Sequence, residues 1–157
     1  MKQDELRQFL TEFAAERLAL LQRHEAGARA VSNYDFNNTY QYVMPTEETQ
    51  LPWLLNALGE LGPTLPAPSS TREVPDGSRA VLDDDAKQLG AFVEKWRDRV
   101  AAMAHARHRI MLDVILGESL EHQRFFEQAA AGFEDLLGRR TGGVARVGGV
   151  LATRWIE

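Results

Sequence analysis

Ile110-Met-Leu-Asp-Val-Ile-Leu-Gly-Glu-Ser-Leu-Glu-His-Gln-Arg-Phe-Phe126 is the densest apolar run in the chain. Ile115, His122, Ala129 and Leu136, with Ser119, Phe126 and Phe133, recur at the three-, four- and seven-residue spacings of one helix face. A second stripe begins upstream: Leu89, Val93, Trp96, Val100, Met103, Ile110 and Val114. The two stripes are displaced by one residue. One helix over residues 83–137 would be ~80 Å long, too long for a compact domain of this size. A break is therefore required, and no proline marks it. His105-Ala-Arg-His-Arg109 is one candidate, because its cations suit a helix C-terminus. Gly117 with Ser119 is the other, a stop-and-start signal that would put Glu118 and Glu121 in a first turn. The first is favoured. It gives the last helix a length matching the first and leaves His122 in mid-helix.

Working outward, residues 2–31 form the first predicted helix. Leu6, Phe9, Phe13, Leu20, Gly27 and Val31 make its stripe, widened by Leu10, Leu21 and His24. Glu16 is its odd member, placed between Phe13 and Leu20. Residues 32–50 are less regular, because Ser32-Asn-Tyr-Asp-Phe-Asn-Asn38 is rich in turn-forming residues. A second helix is expected to start at Thr46, or with Pro52 at its first position, and to run to about Leu61. Pro63, Pro66, Pro68 and Pro75 keep residues 62–79 out of a helix. A connection this long either carries the chain along the bundle, as in crossover bundles, or is a surface loop, and the crossover is favoured. Asp83-Asp84-Asp85 is expected to open the third helix. The organisation is thus a helical domain over 1–138 and a Gly-rich tail over 139–157. Four glycines deny the tail a stable helix, and its apolar end, Trp155-Ile156, predicts that it docks on the bundle or on a neighbouring subunit.

With 157 residues, the chain is long enough to bury a real core. Its 44% hydrophobic and 26% charged content is that of a globular protein. A net charge of −5 gives no general attraction to nucleic acid or anionic lipid. The cations of residues 95–109 are interleaved with acids and read as a solvated face. The absence of cysteine excludes disulfides, thiolate metal sites and cysteine catalysis. Neither a signal peptide nor an apolar run of membrane-spanning length is visible, so a cytoplasmic protein is expected. No phosphate loop, nucleophile elbow or His-Glu-x-x-His is present.

What chemistry there is begins at Glu118 and His122, a carboxylate and an imidazole one turn apart on one helix face. In Glu118-Ser-Leu-Glu-His-Gln-Arg-Phe-Phe126 a histidine precedes an Arg/Phe segment much as in the last helix of rubrerythrin-like proteins. By this segment and by its helix lengths the chain resembles the ferritin-like superfamily, rubrerythrins included. The resemblance implies an all-α four-helix bundle holding a carboxylate-bridged metal pair. One Glu from each of two helices and a Glu-x-x-His from each of the others supply its ligands. It implies iron or manganese as cofactor, and redox or iron-handling chemistry. Glu16, Glu48, Glu118 and His122 would be ligands, with Glu94 or Glu121 completing the set.

The pattern is degenerate. Ser119 stands three residues before His122, and the glutamate stands four before. The second helix reads Glu47-Glu-Thr-Gln50, with Gln in place of His. The third presents Leu89, Val93, Trp96 and Val100 to the core, with Glu94 at the edge of the stripe. A reduced, single-metal site is therefore one expectation. A metal-free homo-oligomeric or adaptor bundle, docking a protein partner through residues 139–157, is another. Each residue also has a plain structural role open to it: His122 as a core histidine bonded to Glu118 or a neighbouring helix, Glu16 as an ion-pair partner of an arginine, His105 and His108 as helix-terminal cations, and Trp53 and Trp96 as packing.

Overall fold

The computed structural model describes residues 1–61 and 72–133. Among them every regular element is a helix: α1 (Gln3–Ala30), α2 (Tyr34–Gly59), α3 (Ser78–Ala101) and α4 (Ala106–Ala130). The expectation of an all-α four-helix bundle holds. The tail over 139–157 and its docking, and most of the proline-rich connection, lie outside the described residues.

Each helix buries one stripe at alternating steps of three and four residues. In α1 it is Leu6, Leu10, Phe13, Arg17, Leu20, His24 and Gly27. In α2 it is Phe36, Tyr40, Val43, Glu47, Gln50, Leu54 and Ala57. α3 contributes Leu82, Asp85, Leu89, Phe92, Trp96 and Val100, and α4 contributes His108, Leu112, Ile115, Ser119, His122, Phe126 and Ala129. Full burial of each large apolar member is worth ~1.5–3 kcal/mol. Aromatic contacts knit one half of the core: Trp96 meets Phe9 and Phe13 edge-on, with ring centroids 5.0 Å apart in both pairs.

Neighbouring helices are α1–α2, α3–α4, α1–α3 and α2–α4. All four pairs are antiparallel. Arg7 Nε donates to the Leu61 carbonyl at one end of α1–α2, and Asn37 Nδ2 donates to the Ala28 carbonyl at the other. Along α1–α3, Phe9 meets Trp96 while Arg23 pairs with Asp84. Along α2–α4, Tyr42 reaches Glu121, Gln50 reaches Glu118 and Glu60 reaches Arg107. It follows that α2 and α3 run parallel across a diagonal. The described ends of the connection lie at opposite ends of α1: Leu61 beside Arg7, and Arg72, whose Nη1 donates to the Arg23 carbonyl. These end points are those that the favoured crossover requires, and residues 62–71 between them lie outside the described residues.

Three boundaries differ from expectation. The second helix starts at Tyr34, not at Thr46 or Pro52, because Asn33 is its N-cap and its side chain accepts from the Phe36 N–H. The turn-forming residues are that helix's first turn. Pro45 and Pro52 lie inside the helix on its exposed side, where water can take the carbonyls they leave unpaired. The third helix opens at Ser78, so Asp83 to Asp85 sit in its second turn and Asp85 is buried. The α3–α4 break covers residues 102–105, just ahead of the favoured His105–Arg109 and overlapping it only at His105, which is the N-cap of α4 rather than the end of α3. The break resets the helical phase. Ile110 and Val114, extrapolated inward from the α3 stripe, therefore face out, 62% and 43% exposed. Gly117 lies within α4 and interrupts nothing. Trp53, expected to pack, is 39% exposed.

Candidate functional site

Polar side chains interrupt the buried stripes near mid-bundle. Arg17 and His24 come from α1, Glu47 and Gln50 from α2, and Ser119 and His122 from α4, all buried. They are neighbours because each sits on its helix's core stripe at a matching level. His24 Nδ1 lies 2.6 Å from Glu47 Oε1. Arg17 Nη1 lies 3.8 Å from the same oxygen, and Arg17 Nη2 donates to Gln50 Oε1 at 2.7 Å. Gln50 Nε2 in turn donates to Glu118 Oε2 at 2.5 Å. The sense of this relay is fixed by chemistry, since a guanidinium only donates and a carboxylate only accepts. Ser119 is satisfied within its own helix, donating to the Ile115 carbonyl at 2.7 Å.

The electrostatics are those of a nearly closed set of charges. Burial pushes the Glu47 carboxyl up, but His24, Arg17 and His122 together outweigh it and hold the carboxyl below the ordinary carboxylate value. Burial also lowers the affinity of Arg17 for its proton, opposed by Glu47 and Glu118. A guanidinium stays charged across any such shift. Even so, polar atoms are left over. Both ring nitrogens of His24, both carboxylate oxygens of Glu47, and Arg17 Nε and Nη1 are buried without a hydrogen-bond partner among the described residues, the close contacts between them being ion pairs only. Each such atom costs ~1–3 kcal/mol, and folded proteins tolerate few of them without a reason.

A second polar group adjoins the first. Phe126 bridges them, its ring 5.0 Å from both His24 and Tyr40. Tyr40 donates its hydroxyl to Asp85 Oδ2 at 2.5 Å. Burial, and then Asp85, raise the Tyr40 pKa, so the phenol stays protonated. Arg72, from the crossover, donates to Asp85 Oδ2 at 3.1 Å and to Asp84 Oδ2 at 3.0 Å. Arg23 also pairs with both aspartates. Here two carboxylates meet two guanidiniums from different elements, which marks this group as a fastening between helices, although Arg23 Nε, Arg72 Nε and Asp85 Oδ1 have no hydrogen-bond partner among the described residues.

The residues expected to bind metal are dispersed. His122 is buried and acts on Glu47. Glu118 is partly buried and bonded to Gln50, and Glu121 accepts from the Tyr42 hydroxyl at 3.4 Å. These lie at the α2–α4 seam beside the buried group. Glu16 is at the α1–α3 edge, paired with Lys95 and accepting from Trp96 Nε1 at 2.9 Å. Glu48 is exposed on α2, next to the buried Glu47. Glu94 is exposed and paired with Arg97 at 3.2 Å. His105 and His108 stack at the start of α4, with ring centroids 4.3 Å apart. Burial lowers the His108 pKa, and His105 and Arg107 lower it further.

Sequence reasoning missed Arg17 and Glu47 as core residues, and counted His24 only as widening a stripe. Their signal was present. Leu10-x-x-Phe13-x-x-x-Arg17-x-x-Leu20-x-x-x-His24 in α1 and Tyr40-x-x-Val43-x-x-x-Glu47-x-x-Gln50-x-x-x-Leu54 in α2 are unbroken alternations of three and four.

As placed, no three His, Asp or Glu side chains among the described residues form a group that could hold an ion. The reason is visible at His24 and Glu47. Their 2.6 Å separation is a direct ion-pair contact, whereas two atoms each ~2 Å from one ion lie about 3 Å apart. The donor types nonetheless suit a metal: two imidazoles and a carboxylate from three helices, with His24 Nε2 and Glu47 Oε2 unused. No family model matches the chain, and no curated protein or solved structure is significantly similar to it.

Proposed function

We propose that this is a ferritin-like bundle that binds one non-haem metal ion, iron or manganese, through His24, Glu47 and His122, for redox or iron-handling chemistry. The observation that carries the reading is the buried imidazole–carboxylate–imidazole set, with donor atoms of His24 and Glu47 left unsatisfied. Two histidines and one carboxylate are a donor set for iron(II) or manganese(II). The antiparallel pairs, and a connection whose described ends lie at opposite ends of the bundle, support the ferritin-like part of the proposal. Glu118 and Glu121, at the α2–α4 seam, stand beside the ion's place rather than within it. Glu16, Glu48 and Glu94 have no part in it. When bound, such an ion supplies Lewis acidity and, for iron, a one-electron couple. The chain itself supplies a buried setting and a fixed carboxylate. An ion held there would replace the direct His24–Glu47 contact.

Elemental analysis of protein purified without a histidine tag tests this. About one iron or manganese per chain is expected, lost in Glu47→Gln. Metal below about a tenth of an equivalent after anaerobic loading with iron(II) would sink the proposal. A second reading rests on Arg17, whose guanidinium lies beside Glu47 and already neutralises it. On that reading the bundle is metal-free and serves as an oligomeric or adaptor protein. An empty site, with a solution mass above that of one chain, would favour it.

A further inference from the structure

We propose that the start of α4 is a binding site for a small phosphate-bearing anion, held by the backbone N–H groups of residues 106–108, the imidazoles of His105 and His108 and the guanidinium of Arg109. The inference does not depend on the metal reading.

His105 is the N-cap of α4, and its side chain makes no capping hydrogen bond. The helix ladder begins only with Arg109 N–H donating to the His105 carbonyl. The N–H groups of Ala106, Arg107 and His108 therefore have no intrahelical acceptor, and their partial positive charge is what holds anions at helix starts. The side chains add to that charge instead of opposing it. The first turn carries no acid, while His105, Arg107, His108 and Arg109 fall within five residues. Cations in this place disfavour the helix unless an anion accompanies them.

The second observation is His108 itself. It is 6% exposed, yet its imidazole has no hydrogen-bond partner among the described residues. Its ring nitrogens keep some contact with the surface. It occupies the third helical position, from which side chains lean back toward the N-terminus, and its ring stacks on that of His105 with centroids 4.3 Å apart. A buried imidazole is thus aimed at the helix start with its hydrogen bonds unspent. Arg109 Nη1 donates to the Met103 carbonyl at 3.0 Å, which folds the guanidinium back over residues 102–105 and leaves its remaining N–H groups for an anion. Arg107 is turned to Glu60 of α2, 3.4 Å away, and stands outside the site. Burial, and then His105 and Arg107, hold the His108 pKa below its ordinary value, and Glu60 opposes them. From α3, Asp98 is taken up by Arg97 and Arg99 by Glu12. The whole chain carries −5. A bilayer or polyanion meets that net repulsion, whereas a small dianion feels mainly the cations within a screening length of ~8–10 Å.

Titration of the full chain with sulfate and with inorganic phosphate, at constant chloride and read by backbone amide NMR, tests this. Sulfate stays fully ionised throughout, so its pH response belongs to the protein. Saturable shifts centred on the amides of residues 106–108 are expected. Sulfate affinity should rise as pH falls from about 8 to about 5.5, because an anion favours protonated His105 and His108, and the rise should be smaller in His108→Gln. His105→Asp places a capping carboxylate on the same N–H groups. It should fold at least as stably as the wild type and bind sulfate about tenfold more weakly or worse, and Arg109→Met should weaken binding similarly. Absence of saturable shifts at residues 106–108 would overturn the proposal, as would unchanged sulfate affinity in His105→Asp. Binding to phosphatidic acid vesicles without binding of inorganic phosphate would overturn the assignment to a small anion.

Discussion

Glu47 joins the electrostatics of the bundle to its stability. It is buried beside His24 and Arg17, and its carboxyl titrates below the ordinary range despite the opposing effect of burial. A carboxyl depressed in the folded state binds its proton more readily when unfolded. Its contribution is therefore fully present above the unfolded value, near 4.5, and is lost as pH falls through the lower folded value. Glu47→Gln removes the anion and leaves the Arg17 charge buried without it, a change that typically costs ~3–5 kcal/mol at neutral pH. Urea denaturation of both proteins from pH 7 to pH 3 should show the gap between them narrowing below about pH 4.5. A gap that stays constant with pH would mean that Glu47 is not ionised in the native protein. The importance of this residue was hard to read from sequence for a physical reason. Pro45 and Pro52 look like helix boundaries, and a helix begun at Thr46 has no established phase to distinguish Glu47 from Glu48. Carrying the stripe of Phe36, Tyr40 and Val43 through Pro45 settles the phase, because a proline on the exposed side leaves its unpaired carbonyl to water. On α4, by contrast, Ile115, Ser119 and Phe126 define the phase on both sides of His122, and its burial was legible directly.

Among the elements, two glycines mark close approaches of different kinds. At Gly27 of α1 an added Cβ would lie 2.6 Å from the Tyr40 hydroxyl and 2.8 Å from Asp85 Oδ2. Both atoms are pinned by their mutual hydrogen bond and by Arg72. At Gly90 of α3 the nearest atom would be Gln123 Nε2, also at 2.8 Å, but that is the far end of a long side chain whose amide donates to Glu127 on its own helix. The two substitutions should therefore differ in sign. Gly27→Ala overpacks a fixed node and should cost ~1–3 kcal/mol or more. Gly90→Ala displaces a movable amide and gains the helix propensity of alanine, up to ~1 kcal/mol. Chemical denaturation of the pair decides it, and equal losses would mean that α3 and α4 are packed as rigidly at Gly90 as α1 and α2 are at Gly27. The sequence places Gly27 on the core stripe, but composition alone does not separate a pinned neighbour from a movable one. The same limit applied to the α3–α4 break. Displaced stripes showed that a break exists, while the cations of residues 105–109 suggested a C-terminus and in fact open α4.

At the scale of the whole molecule the defining feature is the crossover, and its described anchor is Arg72. Arg72 supplies three contacts with a side chain 5% exposed: to the Arg23 carbonyl on α1 at 2.6 Å, to Asp85 at 2.9 Å and to Asp84 at 3.0 Å. Tyr40 joins the same carboxylate from α2. The residue therefore ties the returning chain to α1 and α3 directly and to α2 through Asp85. Prolines announced a long connection, but nothing in the sequence pairs Arg72 with aspartates more than ten residues away; that pairing exists only once α2 and α3 are parallel. Arg72→Ala leaves Asp85 with Arg23, 3.4 Å away, and Tyr40 as its partners. The expected loss is thus the ~1.5–3 kcal/mol of charged hydrogen bonds rather than the full cost of a stranded ion. Arg72→Lys should recover little of it, because one ammonium cannot reproduce a planar fork that serves two carboxylates and a carbonyl. Urea midpoints for the three proteins, with hydrogen exchange at the first turns of α3, read this out. Faster exchange confined to the start of α3 is expected, since that is where the anchor acts. Protection lost evenly over all four helices would instead mean that Asp85 organises the whole bundle and that the crossover is incidental to it.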